Sequence, residues 1–229
     1  MPDLVPPHKK EKSKLYRMLG QLLRQTVFFW LPAVFFLVLA NRVRGNDPLP
    51  GDIAVLTTLN TFASAWLTTG FIIITSLGSS LFVIAGVFIA SVTMWYIGRR
   101  RDALFLVFAA GGTAAINIIF KLIFARDRPD IFQHLVVEDG YSFPSGHAMI
   151  SMSLALAVIT LAWRTKYRWT AIIVGALYAL LVGISRLYLG VHYPSDIVAG
   201  WCVSILWILT LYHVLARFSK NRRIPFLSE

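Results

Sequence analysis

The sequence predicts an all-α fold: a polytopic membrane helix bundle with about six transmembrane helices and one interfacial or re-entrant helical segment. Three observations carry this. The 229-residue chain is 57% hydrophobic and only 14% charged, with a mean hydropathy of +0.66, outside the range of soluble globular domains. Its apolar residues come in runs of near-spanning length, separated by short polar connections. The formal net charge of +11 is gathered in basic clusters between those runs, as at membrane surfaces, which argues against a nucleic-acid partner.

Residues 1–24 carry His8, Lys9, Lys10, Lys12, Lys14, Arg17 and Arg24 and read as a basic cytoplasmic N-terminal segment. Residues 26–40 form the first apolar run. With the basic stretch before it this run imitates a secretory signal peptide, but further spans follow and it reads as an uncleaved first span. Residues 41–52 form a loop with two prolines and two glycines. Residues 53–76 are apolar but dotted with threonine, serine and asparagine, so they read as interfacial or re-entrant helix, broken near Gly78-Ser79-Ser80. The second span is expected at 80–97, with Trp95 and Tyr96 as interface anchors and Arg99-Arg100-Arg101 closing it. The third span is expected at 103–124, followed by the longest polar connection, 125–145. The remaining spans are expected at 149–163, 169–187 and 197–216, with a basic turn at 164–168. Residues 25–217 thus read as one membrane-embedded domain and 218–229 as a cytoplasmic tail. The only cysteine, Cys202, lies in an apolar run, which rules out an intrachain disulfide and leaves it to packing. Gly175 and Gly183 suit close helix contacts, within one chain or between chains, and the oligomeric state stays open.

Charge then orients the bundle. The N-terminus, the 99–101 turn, the 164–168 turn and the C-terminus share one side, which the positive-inside rule makes cytoplasmic. The 41–79 stretch, the 125–145 loop and the 187–195 connection face outward together from a plasma (inner) membrane.

The chemistry-bearing residues gather on that outward face. Pro194 fits the first turn of a helix, which places Asp196 in that turn and His192 just before it. The carboxylate can hold one imidazole nitrogen, fix the tautomer, and free the other as nucleophile or base. Arg186, upstream, is a fork of donors suited to phosphoryl oxygens. The blander reading is an interfacial His–Asp hydrogen bond beside a snorkelling arginine, and this stretch alone leaves both open. Lys121, Arg126 and Arg128 sit at the outward end of the third span, against the positive-inside bias, as functional candidates or as snorkelling helix-end cations. Arg126 and Asp127 receive no role. Asn117, one turn before Lys121, suits a hydrogen bond to a neighbouring helix. In Pro144-Ser145-Gly146-His147, Ser145 is a good N-cap and the helix end behind it a ready anion site. Gly146 lets the backbone approach an anion closely, and His147 points a titratable ring there. Taken alone, the tetrapeptide reads as a turn plus a cap. His134, Glu138 and Asp139 read as a solvated loop surface, with a lid over the site as the other reading, and His213 as structural.

Together, Lys121-x6-Arg128-Pro129, Pro144-Ser145-Gly146-His147 and Ser185-Arg186-x5-His192-x3-Asp196 resemble, in order and spacing, the three signature motifs of the type-2 phosphatidic acid phosphatase superfamily. The layout resembles the family's integral-membrane lipid phosphatases, not its soluble acid phosphatases or vanadium haloperoxidases. The resemblance implies that His192 attacks phosphorus to give a phosphohistidine and that Asp196 orients it. It implies that His147 protonates the leaving oxygen and then activates water. Lys121, Arg128, Arg186, Ser145 and the Gly146 amide match the groups that hold the phosphoryl oxygens. Cations and a helix N-terminus can stabilise the charge that magnesium handles in other phosphoryl-transfer sites, so no metal or other cofactor is expected. The expected function is removal of phosphate from a lipid phosphate or diphosphate at the outer membrane interface, with that lipid and the surrounding membrane lipids as partners. Undecaprenyl diphosphate, phosphatidylglycerol phosphate, phosphatidic acid and a lipid A phosphate are all candidates. One alternative is a lipid phosphotransferase using the same phosphohistidine. A more distant one is an anionic-lipid transporter or scramblase, which should place polar residues through the bilayer depth, whereas here they gather at one end.

Overall fold

The computed structural model describes residues 7–45, 47–132 and 134–218, and all regular structure among them is helical. Helix α1 (Pro7–Arg42) runs unbroken into the first span, with Pro32 inside it. From Pro7 onward, therefore, the expected basic segment is continuous with the span; its residues 1–6, and residues 219–229 of the expected tail, lie outside the described residues. A 3-10 turn, Val43–Gly45, follows. The region expected to be interfacial or re-entrant divides into α2 (Asp52–Asn60) and α3 (Ala65–Ser76). Gly51 leads into α2 at φ 94°, a left-handed conformation that costs other residues about 1–2 kcal/mol. The chain breaks at residues 77–79, close to where the sequence places the break, and α3 meets α4 (Ser80–Tyr96) at 43°.

Helices α5 (Arg100–Phe124), α6 (Gly146–Ala162), α7 (Arg168–Tyr188) and α8 (Pro194–Phe218) complete the bundle. Thr26–Gly45, α5, α7 and Pro194–Leu215 are long and apolar enough to cross a membrane, and the bent α3–α4 pair makes a fifth candidate. The expected fourth span, α6, is apolar but only 17 residues long. Large apolar side chains such as Phe28, Trp30, Leu81, Phe88, Ile118 and Leu122 are exposed on the outer faces. A surface this apolar suits lipid and not water.

Helix α6 is the central element, packed against α5, α7 and α8. Apart from Met149, its buried positions are small: Ala148, Ser151, Ser153, Ala155 and Ala157. Small residues let backbones approach and leave van der Waals contact and interhelical hydrogen bonds to hold the helices. The Thr113 hydroxyl of α5 donates to Ser153 Oγ at 2.7 Å, and that of Ser204 in α8 to the Met149 carbonyl at 2.7 Å. A β-carbon at Gly175 would lie 3.2 Å from Ala155, and one at Gly183 only 2.8 Å from Trp201. Both glycines therefore serve contacts within the chain. Nearer the polar end, Phe36, Phe120, Phe124 and Phe143 cluster with ring centroids 5.0–6.3 Å apart, and buried Cys202 packs in the same core. That core supports the face where α5 and α7 end and α6 and α8 begin.

Candidate active site

Helix α7 ends at Tyr188, and the chain reverses through Gly190 at φ 78°. A β-carbon there would lie 2.6 Å from the Phe132 ring, so the turn requires glycine twice over. Pro194 then opens α8 as predicted. His192, in the reversal, is 1% exposed. Its Nδ1 lies 3.3 Å from Asp196 Oδ2, which also accepts the Tyr193 N–H at 2.9 Å. With Nδ1 donating to the carboxylate, Nε2 keeps its lone pair and faces Arg128 Nη1 at 3.4 Å. Burial, followed by the charges of Arg186, Arg128 and Lys121, holds the imidazole well below its ordinary value of 6.5, so it is neutral at neutral pH.

Three cations converge beside it. Arg128 is anchored in the loop after α5, its Nε donating to the Gly140 carbonyl at 2.9 Å, Nη1 to Val191 at 2.9 Å and Nη2 to Asp139 at 3.0 Å. Arg186, in the last turn of α7 and 1% exposed, donates from Nη1 to Thr75 Oγ1 of α3 at 2.8 Å. Its Nη2 bonds the Glu138 carboxylate, and its buried Nε has no hydrogen-bond partner among the described residues. Lys121, in the last turn of α5, interacts electrostatically with Arg128, Glu138 and Arg186. Glu138 also lies 3.6 Å from Arg128 Nη2. Burial pushes its carboxyl up, but the charge and hydrogen bond of Arg186, with His147 and Arg128, outweigh this and hold it below 4.5. A carboxylate therefore sits on donors whose geometry suits the oxygens of a phosphoryl group.

The remaining stretch closes the site from the α6 side. Ser145 caps α6, accepting the Ala148 N–H at 3.4 Å, while its own N–H donates to the Asp196 carbonyl at 3.2 Å. Asn117 makes the predicted bond to a neighbouring helix, donating to Met149 Sδ of α6 at 3.2 Å, and also donates to the Pro144 carbonyl in the turn before it at 3.0 Å. A β-carbon at Gly146 would meet Asn117 Oδ1 at 2.9 Å. His147 lies against Gly78 in the α3–α4 break, where a β-carbon would be 3.1 Å from its ring, and is within electrostatic reach of Arg186, Glu138, Lys121 and Arg128. Among the described residues, no group of three or more His, Cys, Asp or Glu side chains is arranged to hold a metal ion.

Residues 102–220 match the PAP2 superfamily. The chain belongs to the PAP2 superfamily. It is 32% identical over 179 residues to phosphatidylglycerophosphatase B of Bacillus subtilis, covering 76% of this chain and 87% of that one. It is 25% identical over 189 residues to the undecaprenyl-diphosphatase of Sulfolobus acidocaldarius, covering 79% and 87%. Its fold matches the crystal structure of the transmembrane PAP2-type phosphatidylglycerolphosphate phosphatase from Bacillus subtilis with a TM-score of 0.78 at 28% identity, over 86% of this chain and all of that one (100%). Fold and family together make the protein a multi-pass membrane enzyme of the phosphatase class.

All eight residues singled out from the PAP2 motifs lie on one face of the bundle. Two other readings need correction. Glu138 is more than a solvated loop residue: the 125–145 loop folds back, and its carboxylate, still 28% exposed, pairs with Arg186 and Arg128. Arg126, left without a role by its place in the x6 spacer, is fully buried among Asp52, Ser195 and Asp196. Asp52 and Thr75 escaped notice in the sequence; a carboxylate opening an apolar helix was the one signal for Asp52, and a threonine among threonines carried none. His134 bonds the Pro129 carbonyl of its own loop and His213 the Leu209 carbonyl of its own helix.

Proposed function

We propose that this protein removes phosphate from a membrane lipid phosphate or diphosphate through a phosphohistidine on His192, without a metal ion, at the outer membrane interface, with both termini cytoplasmic. The observation that carries the reading is His192 itself: Asp196 holds Nδ1, and Nε2 points at the convergence of Arg128, Arg186 and Lys121. In the first step Nε2 attacks phosphorus in line, the P–O bond to the lipid breaks, and His147 donates a proton to the departing oxygen. In the second, His147 takes a proton from water, whose oxygen attacks phosphorus as the bond from phosphorus to His192 Nε2 breaks, releasing inorganic phosphate and the free imidazole. Lys121, Arg128, Arg186, Ser145 and the Gly146 amide hold the equatorial oxygens, supplying the charge stabilisation that the transition state needs. A substrate with its tail in the bilayer is supported by the site's position at one end of an apolar bundle, and by relatives named for phosphatidylglycerophosphate and undecaprenyl diphosphate. The test is phosphate release from a panel of lipid mono- and diphosphates by the purified protein in detergent with EDTA, beside His192→Ala. Release that survives EDTA and falls about a thousand-fold or more in the variant is expected. Wild-type release by His192→Ala would overturn the mechanism, and phosphorylated lipid acceptor without free phosphate would replace hydrolysis by phosphotransfer.

A further inference from the structure

The most deeply buried cation on the site's face is not one of those facing the proposed phosphate position. Arg126 has no exposed side-chain surface (0%), and its partners Asp196 and Asp52 are 0% and 4% exposed. Its Nη1 donates to Asp196 Oδ1 at 2.6 Å and to Ser195 Oγ at 2.8 Å, and its Nη2 to Asp52 Oδ2 at 3.2 Å. The guanidinium carbon lies 4.1 Å from the centre of the Tyr193 ring. Asp52, at the start of α2, accepts the Ser195 N–H at 3.0 Å and its hydroxyl at 2.7 Å. A chain of buried polar contacts therefore leads from α2 through Arg126 and the first turn of α8 to Asp196, and from Asp196 to His192.

The arrangement constrains the carboxylate on both oxygens. Oδ2 is used by the Tyr193 N–H and by His192 Nδ1, and Oδ1 by Arg126. Held by Nδ1 alone, the carboxylate could turn and carry the imidazole with it. With Oδ1 clamped and the backbone of the same helical turn tied to Asp52, it cannot. Displacements of about 1 Å in a reacting group can lower a rate about a hundred-fold. We propose that Arg126 and Asp52 are positioning residues for His192, acting through Asp196 and touching neither substrate nor phosphate. The planar fork is what the role needs, because it reaches both carboxylates at once and a lysine would serve only one.

This inference rests on the reading of His192 as nucleophile, and the experiment separates the two. Arg126→Lys and Asp52→Asn are made singly and in combination with Asp196→Asn, with His192→Ala alongside. Steady-state constants for a lipid phosphate and the inhibition constant for inorganic phosphate are measured on protein that elutes as the wild type does. Each single variant is expected to lower kcat about 10- to 100-fold while KM and the phosphate inhibition constant stay within about two-fold. Added to Asp196→Asn, neither should lower kcat by more than about two-fold, because the route they act through is already lost. Ser195→Ala, which keeps every charge and removes one hydroxyl link, should show the same kcat-only loss at smaller size and serves if a charged variant does not fold. Unchanged kcat in the folded variants, losses that multiply with Asp196→Asn, or a rise in KM with kcat kept would each overturn the inference. An active His192→Ala would instead overturn the nucleophile assignment and take the positioning role with it.

Discussion

At neutral pH His192 is an uncharged imidazole, because burial and then the surrounding cations Arg186, Arg128 and Lys121 all disfavour its protonated form. The proposed attack needs that neutral form. Protonation removes the nucleophile, so kcat/KM should be kept as pH falls through 6.5 and lost only at the lower value that the site imposes. A pH profile checks this; an acid limb centred at or above 6.5 would contradict it. Arg186 poses a second residue-scale question. Its Nη1 is paired with Thr75 Oγ1, a hydroxyl supplied from α3. Thr75→Val would leave a buried donor without an acceptor, at a cost of about 1–3 kcal/mol. If Arg186 holds substrate oxygens, that loss should appear as a KM raised about ten-fold, and Thr75→Ser should restore it. An unchanged KM in Thr75→Val would show that the hydroxyl does not position the guanidinium.

The loop between α5 and α6 is the element whose behaviour the fold makes least ordinary. It brings Arg128 to the site from one end and Glu138 onto Arg186 in its middle, so it supplies both a phosphate-suited cation and the anion that occupies it. Any phosphoryl group that uses Arg186 Nη2 must displace the Glu138 carboxylate. Because Glu138 is held below 4.5, this competitor stays charged through the neutral range. The stability it contributes is present above the ordinary carboxyl value and is lost as pH falls through the lowered one. Glu138→Gln should therefore lower the inhibition constant of inorganic phosphate about ten-fold, the factor equivalent to about 1.4 kcal/mol. Competitive inhibition assays at pH 6 and pH 8 should give the same ratio of variant to wild type. A weaker inhibitor in the variant would mean that Glu138 helps to organise the cations instead of competing for them.

For the whole molecule, the bundle places every candidate residue at one end, and the basic turns at 99–101 and 164–168 at the other. The proposed orientation puts the site outside. With buried Cys202 as the only native cysteine, single cysteines at Asp130 and Lys166 report on it. In intact cells an impermeant maleimide should label Asp130→Cys and leave Lys166→Cys untouched until the cells are opened. The reverse pattern would invert the orientation.

What was legible in the sequence is what short-range pattern dictates. Apolar runs mark most of the membrane helices because a bilayer demands unbroken apolar length, and the helix-end motifs place His192, Asp196, Ser145 and Arg186 because capping geometry is local. Even the break near Gly78 and the Pro194 start of α8 are local facts. Local pattern misled where a partner lies far along the chain. Arg186 meets Thr75 across 111 residues, and Asp52 meets Ser195 across 143, so no spacing reveals that Asp52 belongs to the site or that Arg126 is buried beneath it. In isolation a loop carboxylate such as Glu138 reads as solvated; only the fold of the loop over Arg186 pairs it with two cations, with its side chain still 28% exposed. Residue chemistry and helix-forming length are written along the chain, whereas which charges neutralise one another is decided by how the helix ends pack, since burial of a charge is tolerated only where the tertiary structure delivers its counter-charge.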